Sequence, residues 1–314
     1  MFSLQAGLQI SVPILLFMLL GMGLKRIGLM GEKFTKHLNK LCFNLFFPAM
    51  IFNNVSSADI REIWDMRLLG FALVSVFLWF LLLVLAIPRI QKNRKKAGIM
   101  VLALLRSNFA ILGTIIVKAI AGENNMGEIS LLVALIVPVA NILCLVFIEI
   151  SNTQQKLQVK ELLVHLIKSP LLLAAAAGLL FALLPVRLPG LISKPIDDLA
   201  ACTMPLSLLL CGATIKLDGI KSNLGQLVIV ALGRLVLVPL VMLPVCMWFH
   251  FEKLQIIALM SLYMGPTAIT VFNIASQYDC EAEFAGQTVA ITSLLAPITI
   301  FAWIVAMGAL GIIS

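Results

Sequence analysis

Residues 102–118 read LALLRSNFAILGTIIVK, a run apolar enough to lie inside a bilayer that nevertheless carries Arg106, Ser107 and Asn108 near its middle, then Gly113 and Thr114. A full charge near the bilayer centre costs at least about 2.5 to 3.5 kcal/mol on insertion scales, so such residues face a cavity or a partner. The second half holds a counterpart at residues 257–276, IALMSLYMGPTAITVFNIAS, where Gly265 and Pro266 interrupt an equally apolar run. Pro266 has no amide hydrogen and its ring clashes with the preceding turn, which opposes a continuous helix. Two interrupted hydrophobic segments at corresponding places in two halves are the sequence pointer to a transporter's binding site.

The surrounding chain supports a membrane setting. It is 61% hydrophobic and 12% charged over 314 residues, with a mean hydropathy of +1.07, outside the range of soluble domains of this length. No Lys or Arg precedes the first apolar run, and Lys25 and Arg26 follow it. That order fits a first helix inserted with its N-terminus outside, not a cleaved signal. The net charge of +8 is concentrated in short loops, so membrane orientation explains it and no nucleic-acid partner is expected. The six cysteines, at 42, 144, 202, 211, 246 and 280, show no CxxC and mostly fall in apolar spans. They read as core residues, with no metal or cofactor implied.

A helix is the one chain segment that satisfies its own backbone in hydrocarbon, and about 20 apolar residues are needed to cross. Cutting at the polar clusters predicts an all-α polytopic membrane protein of ten spans: 4–24, 35–55, 67–87, 97–121, 129–149, 170–184, 195–215, 224–249, 254–277 and 284–312. Fifteen of the 23 Lys and Arg residues fall in the odd-numbered loops and six in the even-numbered ones, with Arg106 and Arg234 left inside spans. The positive-inside rule then makes the odd loops cytoplasmic and puts both termini outside, in a multi-pass protein of the cell membrane.

The prolines repeat. Pro13 and Pro170 are 157 residues apart, as are Pro48 and Pro205, while Pro88 and Pro244 differ by 156 and Pro138 and Pro297 by 159. Each pair falls in corresponding helices of two five-helix halves, which reads as a duplicated unit. Because five is odd, the second copy enters the membrane the other way up, giving inverted repeats at 1–150 and 168–314 joined by a cytoplasmic linker at 151–167.

Several motifs carry a family resemblance: LNKLCFNLFFPAMIF in the second span, RSNFAILG in the fourth, PLSLLLCGATI in the seventh, LGRLVLVPLV in the eighth, and PTAITVFNIASQYDCEAEFAGQTVAITSLLAPIT across the ninth and tenth. In their order and spacing they resemble the auxin efflux carrier family, whose members include plant auxin exporters and bacterial permeases for small organic acids. The resemblance covers essentially the whole chain. It implies ten helices in inverted repeats, with helices 4 and 9 broken and crossing at mid-membrane, as in the bile-acid symporter and sodium/proton antiporter folds. The fourth span departs from the family pattern, since Ala110 stands for its glycine and Ile115 for its proline.

The expected function is a secondary transporter for a small organic anion such as a mono- or dicarboxylate, working by alternating access, of the elevator type, around the crossing. Helices 1, 2, 6 and 7 form a scaffold and the other six a moving core. Broken helices expose amide donors at half-helix N-termini, so the crossing can hold an anion. Asn108 sits at the family's crossover asparagine, where its amide serves as a cap or binds a carboxylate. Arg106 either binds an anion through its planar fork or snorkels to the interface. Ser107, Gly265, Pro266 and Thr267 belong to the same breaks. Asn44 and Ser207 flank the matched Pro48 and Pro205. With Asn141 and Asn273 they are further candidates for substrate binding, or are helix-helix glue. Arg234 reads as structural, pairing with carbonyls or a neighbouring helix. No Asp or Glu falls in the middle third of any span, so a buried carboxylate relay has no support. There is no HExxH, Walker loop or GxSxG with partners, so no enzyme is expected. An anion channel or a transporter-derived sensor of the same fold is the rival. The expected partners are the organic anion and the lipid bilayer, with a second copy of the chain as a candidate.

Overall fold

The computed structural model describes residues 2–56, 65–122, 125, 127–152, 168, 170–183, 188–214, 220–278 and 280–313. The regular elements are helices: α1 Phe2–Arg26, α2 Glu32–Leu41, α3 Phe47–Ser56, α4 Met66–Ile90, α5 Arg94–Leu105, α6 Phe109–Ala121, α7 Gly127–Asn152, α8 Pro170–Leu183, α9 Gly190–Thr214, α10 Ile220–Leu232, α11 Val238–Trp248, α12 Lys253–Met264, α13 Thr270–Gln277 and α14 Ala282–Ala309. Among the described residues the β pairing is a single antiparallel bridge, Ser107 to Thr267. The expected linker 151–167 lies outside the described residues except for its first two, which close α7.

Among the described residues three helical stretches are long and apolar enough to cross a membrane unaided: Met66–Ile90, Leu131–Ile148 and Ile220–Trp248. The pair Ala282–Ala296 and Ile298–Ala309, bent by 45°, makes a fourth if counted as one span. The expected fourth and ninth spans are instead two helices each, α5 with α6 and α12 with α13. The expected second span is divided by a π turn at Cys42–Phe46, and a second π turn, Gly233–Leu237, joins α10 to α11. Both turns precede a proline, Pro48 or Pro239. Proline removes one i→i−4 bond and crowds the carbonyl four residues back, and a widened turn is one way to absorb that. The carbonyl four residues before Pro239 belongs to Leu235, and it accepts from Trp303 Nε1 at 2.9 Å instead.

The broken helices are the most enclosed parts of the fold. Every residue from Ala97 to Leu105 on α5 is buried, and so is every residue from Ile256 to Met264 on α12, the signature of a helix surrounded by protein on all sides. The lipid-compatible surface lies elsewhere: Leu19 on α1, Leu78 and Leu85 on α4, Leu240 on α11 and Ile298 on α14 are exposed. α4 and α7 pack on α5, α6 and α11 on α12, and α14 on α10 and α13, while α1 pairs with α9 and α3 with α8 and α9. α1 meets α9 through glycines: a Cβ on Gly212 would lie 1.9 Å from the Met18 carbonyl oxygen, and one on Gly21 would lie 2.1 Å from that of Leu209. Small residues at such a crossing let two backbones touch.

Helix starts are tied across the fold. Asp65 caps α4 by accepting from the Arg67 and Leu68 amides at 2.9 and 3.0 Å, and its other oxygen accepts from Gln255 Nε2 in the first turn of α12 at 2.6 Å. At the first turn of α5, Lys96 Nζ donates to Asn223 Oδ1 near the start of α10 at 2.8 Å. Cys42, Cys144, Cys246 and Cys280 are buried and Cys202 is exposed.

Candidate functional site

Arg106 ends α5 in an extended conformation, φ −84° and ψ 108°, and Gly265 ends α12 likewise at φ −69° and ψ 150°. At Gly265 the cause is local, because the residue before a proline is pushed out of the helical region. No proline follows Arg106, and there the partner strand holds the break open. Asn108 N donates to Pro266 O and Ala268 N to Arg106 O, each at 2.9 Å, around the Ser107–Thr267 bridge. The two breaks therefore complete one another's backbone bonding, which a lone break in hydrocarbon would lack. The approach is close: a Cβ on Gly265 would lie 2.4 Å from Ser107 Oγ, so the serine hydroxyl would have to turn aside.

The four half-helix ends are treated unequally. Both C-terminal ends are closed by side-chain donors. Arg234, 2% exposed, donates Nη2 to Leu262 O at 2.8 Å, Nε to Gly265 O at 2.9 Å and Nη1 to Leu104 O at 3.2 Å. Trp79 Nε1 also reaches Leu104 O, at 3.3 Å, and Thr267 Oγ1 donates to Ala103 O at 3.1 Å. These carbonyls are the ones that lack an intrahelical partner, and as the sequence suggested, Arg234 serves backbone.

The N-terminal end of α13 meets a different group. Arg106 is enclosed by protein, 5% exposed. Its Nη2 donates to Thr270 Oγ1, the first residue of α13, at 2.8 Å, and its Nη1 to Val137 O on α7 at 3.3 Å. Both partners are uncharged, and Nε has no partner. A guanidinium thus stands beside a helix N-terminus, which itself carries about half a positive charge.

The predicted residues divide. Ser107, Asn108, Gly265, Pro266 and Thr267 form the crossing. Asn108 is half-buried at the head of α6, its carbonyl accepting from Leu112 N at 3.0 Å. Asn141 lies one turn beyond Val137 on α7, 1% exposed, with both amide atoms unpartnered. Asn273, also 1% exposed, lies one turn beyond Thr270, donating to Ile269 O at 3.2 Å while its Oδ1 is unpartnered. Ser107 Oγ is unpartnered too. The crossing thus gathers Arg106 with two asparagines set one turn from its partners. Asn44 and Ser207 stand apart from it: Asn44 is exposed and donates to Lys40 O at 2.7 Å on its own helix, and Ser207 is buried beside Cys42. Sequence reasoning missed Trp79, Thr270 and Thr292, whose Oγ1 accepts from Thr267 N at 3.2 Å. Each is a mildly polar residue in a largely apolar run, with no spacing signal to mark it.

With the crossing in view, likeness to known proteins gains a physical basis. The family model described as membrane transport protein matches residues 8–304. The chain therefore belongs to that family, the auxin efflux carriers, and with its apolar helices it is an integral membrane protein. It is 21% identical over 305 residues to an uncharacterized transporter of Methanocaldococcus jannaschii, covering 94% of this chain and 97% of that one. It is 22% identical over 306 residues to an uncharacterized transporter of Methanothermobacter thermautotrophicus, again covering 94% and 97%. A Rhizobium meliloti protein named "Putative malonate transporter" is 30% identical over 132 residues, 42% of this chain and 41% of that protein.

Proposed function

We propose that this family member is a secondary transporter for a small organic anion, a mono- or dicarboxylate, bound at the crossing of α5/α6 with α12/α13. The observation that carries the reading is Arg106: a buried cation beside a helix N-terminus, bonded to neutral groups, with Nε unpartnered. Two half-helix N-termini contribute about one positive charge between them, and Arg106 adds another. The C-terminal ends, which would offset this, are already engaged by Arg234. A carboxylate at the N-terminal ends relieves that imbalance, and Asn108, Asn141 and Asn273 supply amides to orient it. The name of the Rhizobium relative points to a dicarboxylate of the same class. No enzymatic step is assigned to the site.

The architecture proposed with it is ten spans in inverted five-helix repeats in the cell membrane, both termini outside, with a scaffold and a core moving by alternating access. Two tertiary hydrogen bonds support the repeat. The Asp65–Gln255 and Asn223–Lys96 bonds are related by the repeat, since Asn223 lies 158 residues after Asp65 and Gln255 lies 159 after Lys96.

The test is ligand-induced stabilisation of purified protein across a carboxylate series, with the matched amides as controls. A carboxylate at 100 times its Kd should stabilise by about 2.7 kcal/mol. Arg106→Gln should abolish that response while leaving the amide baseline alone. Stabilisation by cations or neutral solutes and not by carboxylates would sink the reading. In proteoliposomes, saturation and counterflow distinguish a carrier from a channel.

A further inference from the structure

The crossing has a second side, behind the half-helix C-termini. Two such ends carry about half a negative charge each, or about one together. A cation site built from backbone carbonyls in the middle of a membrane has this composition, and here Leu104, Leu262 and Gly265 present their oxygens to one point. That point is occupied by the guanidinium of Arg234, which comes from the π turn between α10 and α11 and gives one donor to each oxygen. One positive charge meets about one negative charge, so the ends are neutralised by the chain itself. The walls agree. Among the described residues the cleft beside Arg234 is lined by Ser75, Trp79, Tyr263 and apolar residues, with no carboxylate. Tyr263 Oη and Ser75 Oγ share a hydrogen bond of 2.5 Å, and Trp79 directs its indole N–H at Leu104 O. The lining thus holds a donor and a closed hydroxyl pair where a metal cation needs free oxygens.

We propose that Arg234 is a resident counter-cation: it holds the place between the two half-helix C-termini in which a coupling alkali cation would bind, so the protein binds and moves its substrate independently of Na⁺, Li⁺ and K⁺. The movement half of this rests on the carrier reading above, and the binding half does not. An arginine here would also hold the crossing at constant charge while the substrate comes and goes, which makes it a positioning residue for both broken helices.

The experiment follows thermal unfolding of the purified full chain in NaCl, LiCl, KCl and choline chloride at equal ionic strength, together with proteoliposome flux in the same salts. Wild type should show one midpoint and one rate in all four. Arg234→Ala should unfold at a lower midpoint, recover selectively with millimolar guanidinium that leaves wild type unmoved, and gain a Na⁺ or Li⁺ response over choline. A purely structural arginine would give the lower midpoint without the ion-specific recovery. Arg234→Lys keeps the charge but not the three-pronged reach, so it should be less stable and still indifferent to alkali cations. Wild type stabilised or accelerated by Na⁺ or Li⁺ over choline would overturn the proposal, whether or not the alanine variant folds. A folded Arg234→Ala blind to both guanidinium and alkali cations would also overturn it. Loss of carboxylate stabilisation in wild type would defeat the carrier reading and leave these salt comparisons standing.

Discussion

Arg106 and Arg234 are the same residue type at the same depth of burial, 5% and 2% exposed, yet their surroundings give them opposite tasks. Arg234 is matched by three carbonyls of helix C-termini, a favourable place for a cation. Arg106 is set against a helix N-terminus, where the dipole is adverse. The pair differ in what they leave over, and the proposed anion site rests on that difference. Asn108 tests the same point from the neutral side. Asn108→Ala removes a donor from the head of α6, leaving groups unsatisfied at about 1 to 3 kcal/mol. Transport should fall roughly five- to a hundredfold at that cost, while the purified variant keeps a cooperative unfolding transition. Unchanged transport would assign Asn108 a minor role. Gly212 makes a separate residue-scale prediction. A methyl group there would sit 1.9 Å from the Met18 carbonyl, so Gly212→Ala must separate α1 from α9, and its unfolding midpoint should drop well below that of wild type. Gly225, with open space around its Cβ position, is the control, and Gly225→Ala should be neutral or slightly stabilising.

Among the elements, the α10–α11 joint shows how a proline is accommodated in lipid. Pro239 cannot donate to Leu235 O, and Trp303 from α14 does so at 2.9 Å. Trp303→Phe should therefore leave a carbonyl unpaired and destabilise by about 1 to 2 kcal/mol. Restoring the amide with Pro239→Ala should recover part of that loss, so the two changes should be non-additive in a double-mutant cycle. Additive effects would mean that Trp303 acts through packing alone. The breaks at α5/α6 and α12/α13 contrast in legibility. Gly265 and Pro266 announce the second in the sequence, because proline chemistry is local. The first has Ala110 and Ile115 and no proline within it, and it persists because Pro266 O and Ala268 N from the other break complete its backbone. A helix interrupted by a distant partner leaves no proline to read.

For the whole molecule, loop charge and repeat make one shared prediction about orientation. Single cysteines placed in the odd-numbered loops, for example at Lys92, should be shielded from an impermeant maleimide in intact cells, and cysteines next to Phe249 should be labelled. Both termini should be accessible from outside. The reverse pattern would invert the topology and with it the direction of the proposed alternation. Cysteine pairs spanning α3 and α7, across the scaffold-core seam where those helices pack, should cross-link to different extents with and without a stabilising carboxylate. Equal cross-linking in both conditions would count against a moving core.

Composition and apolar runs were enough to establish a helical membrane protein, motifs in the second, fourth and seventh to tenth spans carried its family resemblance, and the break at Pro266 was legible too, because hydrophobic length and missing amide hydrogens act within a few residues of where they are written. The span count read from apolar runs met a fold in which a few helices cross unaided and others are broken, split by π turns or bent, since backbone geometry inside protein is not set by hydropathy. Tertiary structure alone decided which buried groups meet. Arg106 and Thr270 are 164 residues apart, and Arg234 and Leu104 are 130 apart. No local pattern encodes such pairings. They are fixed when two broken helices cross and each must find its missing hydrogen bonds in the other and in the helices around it.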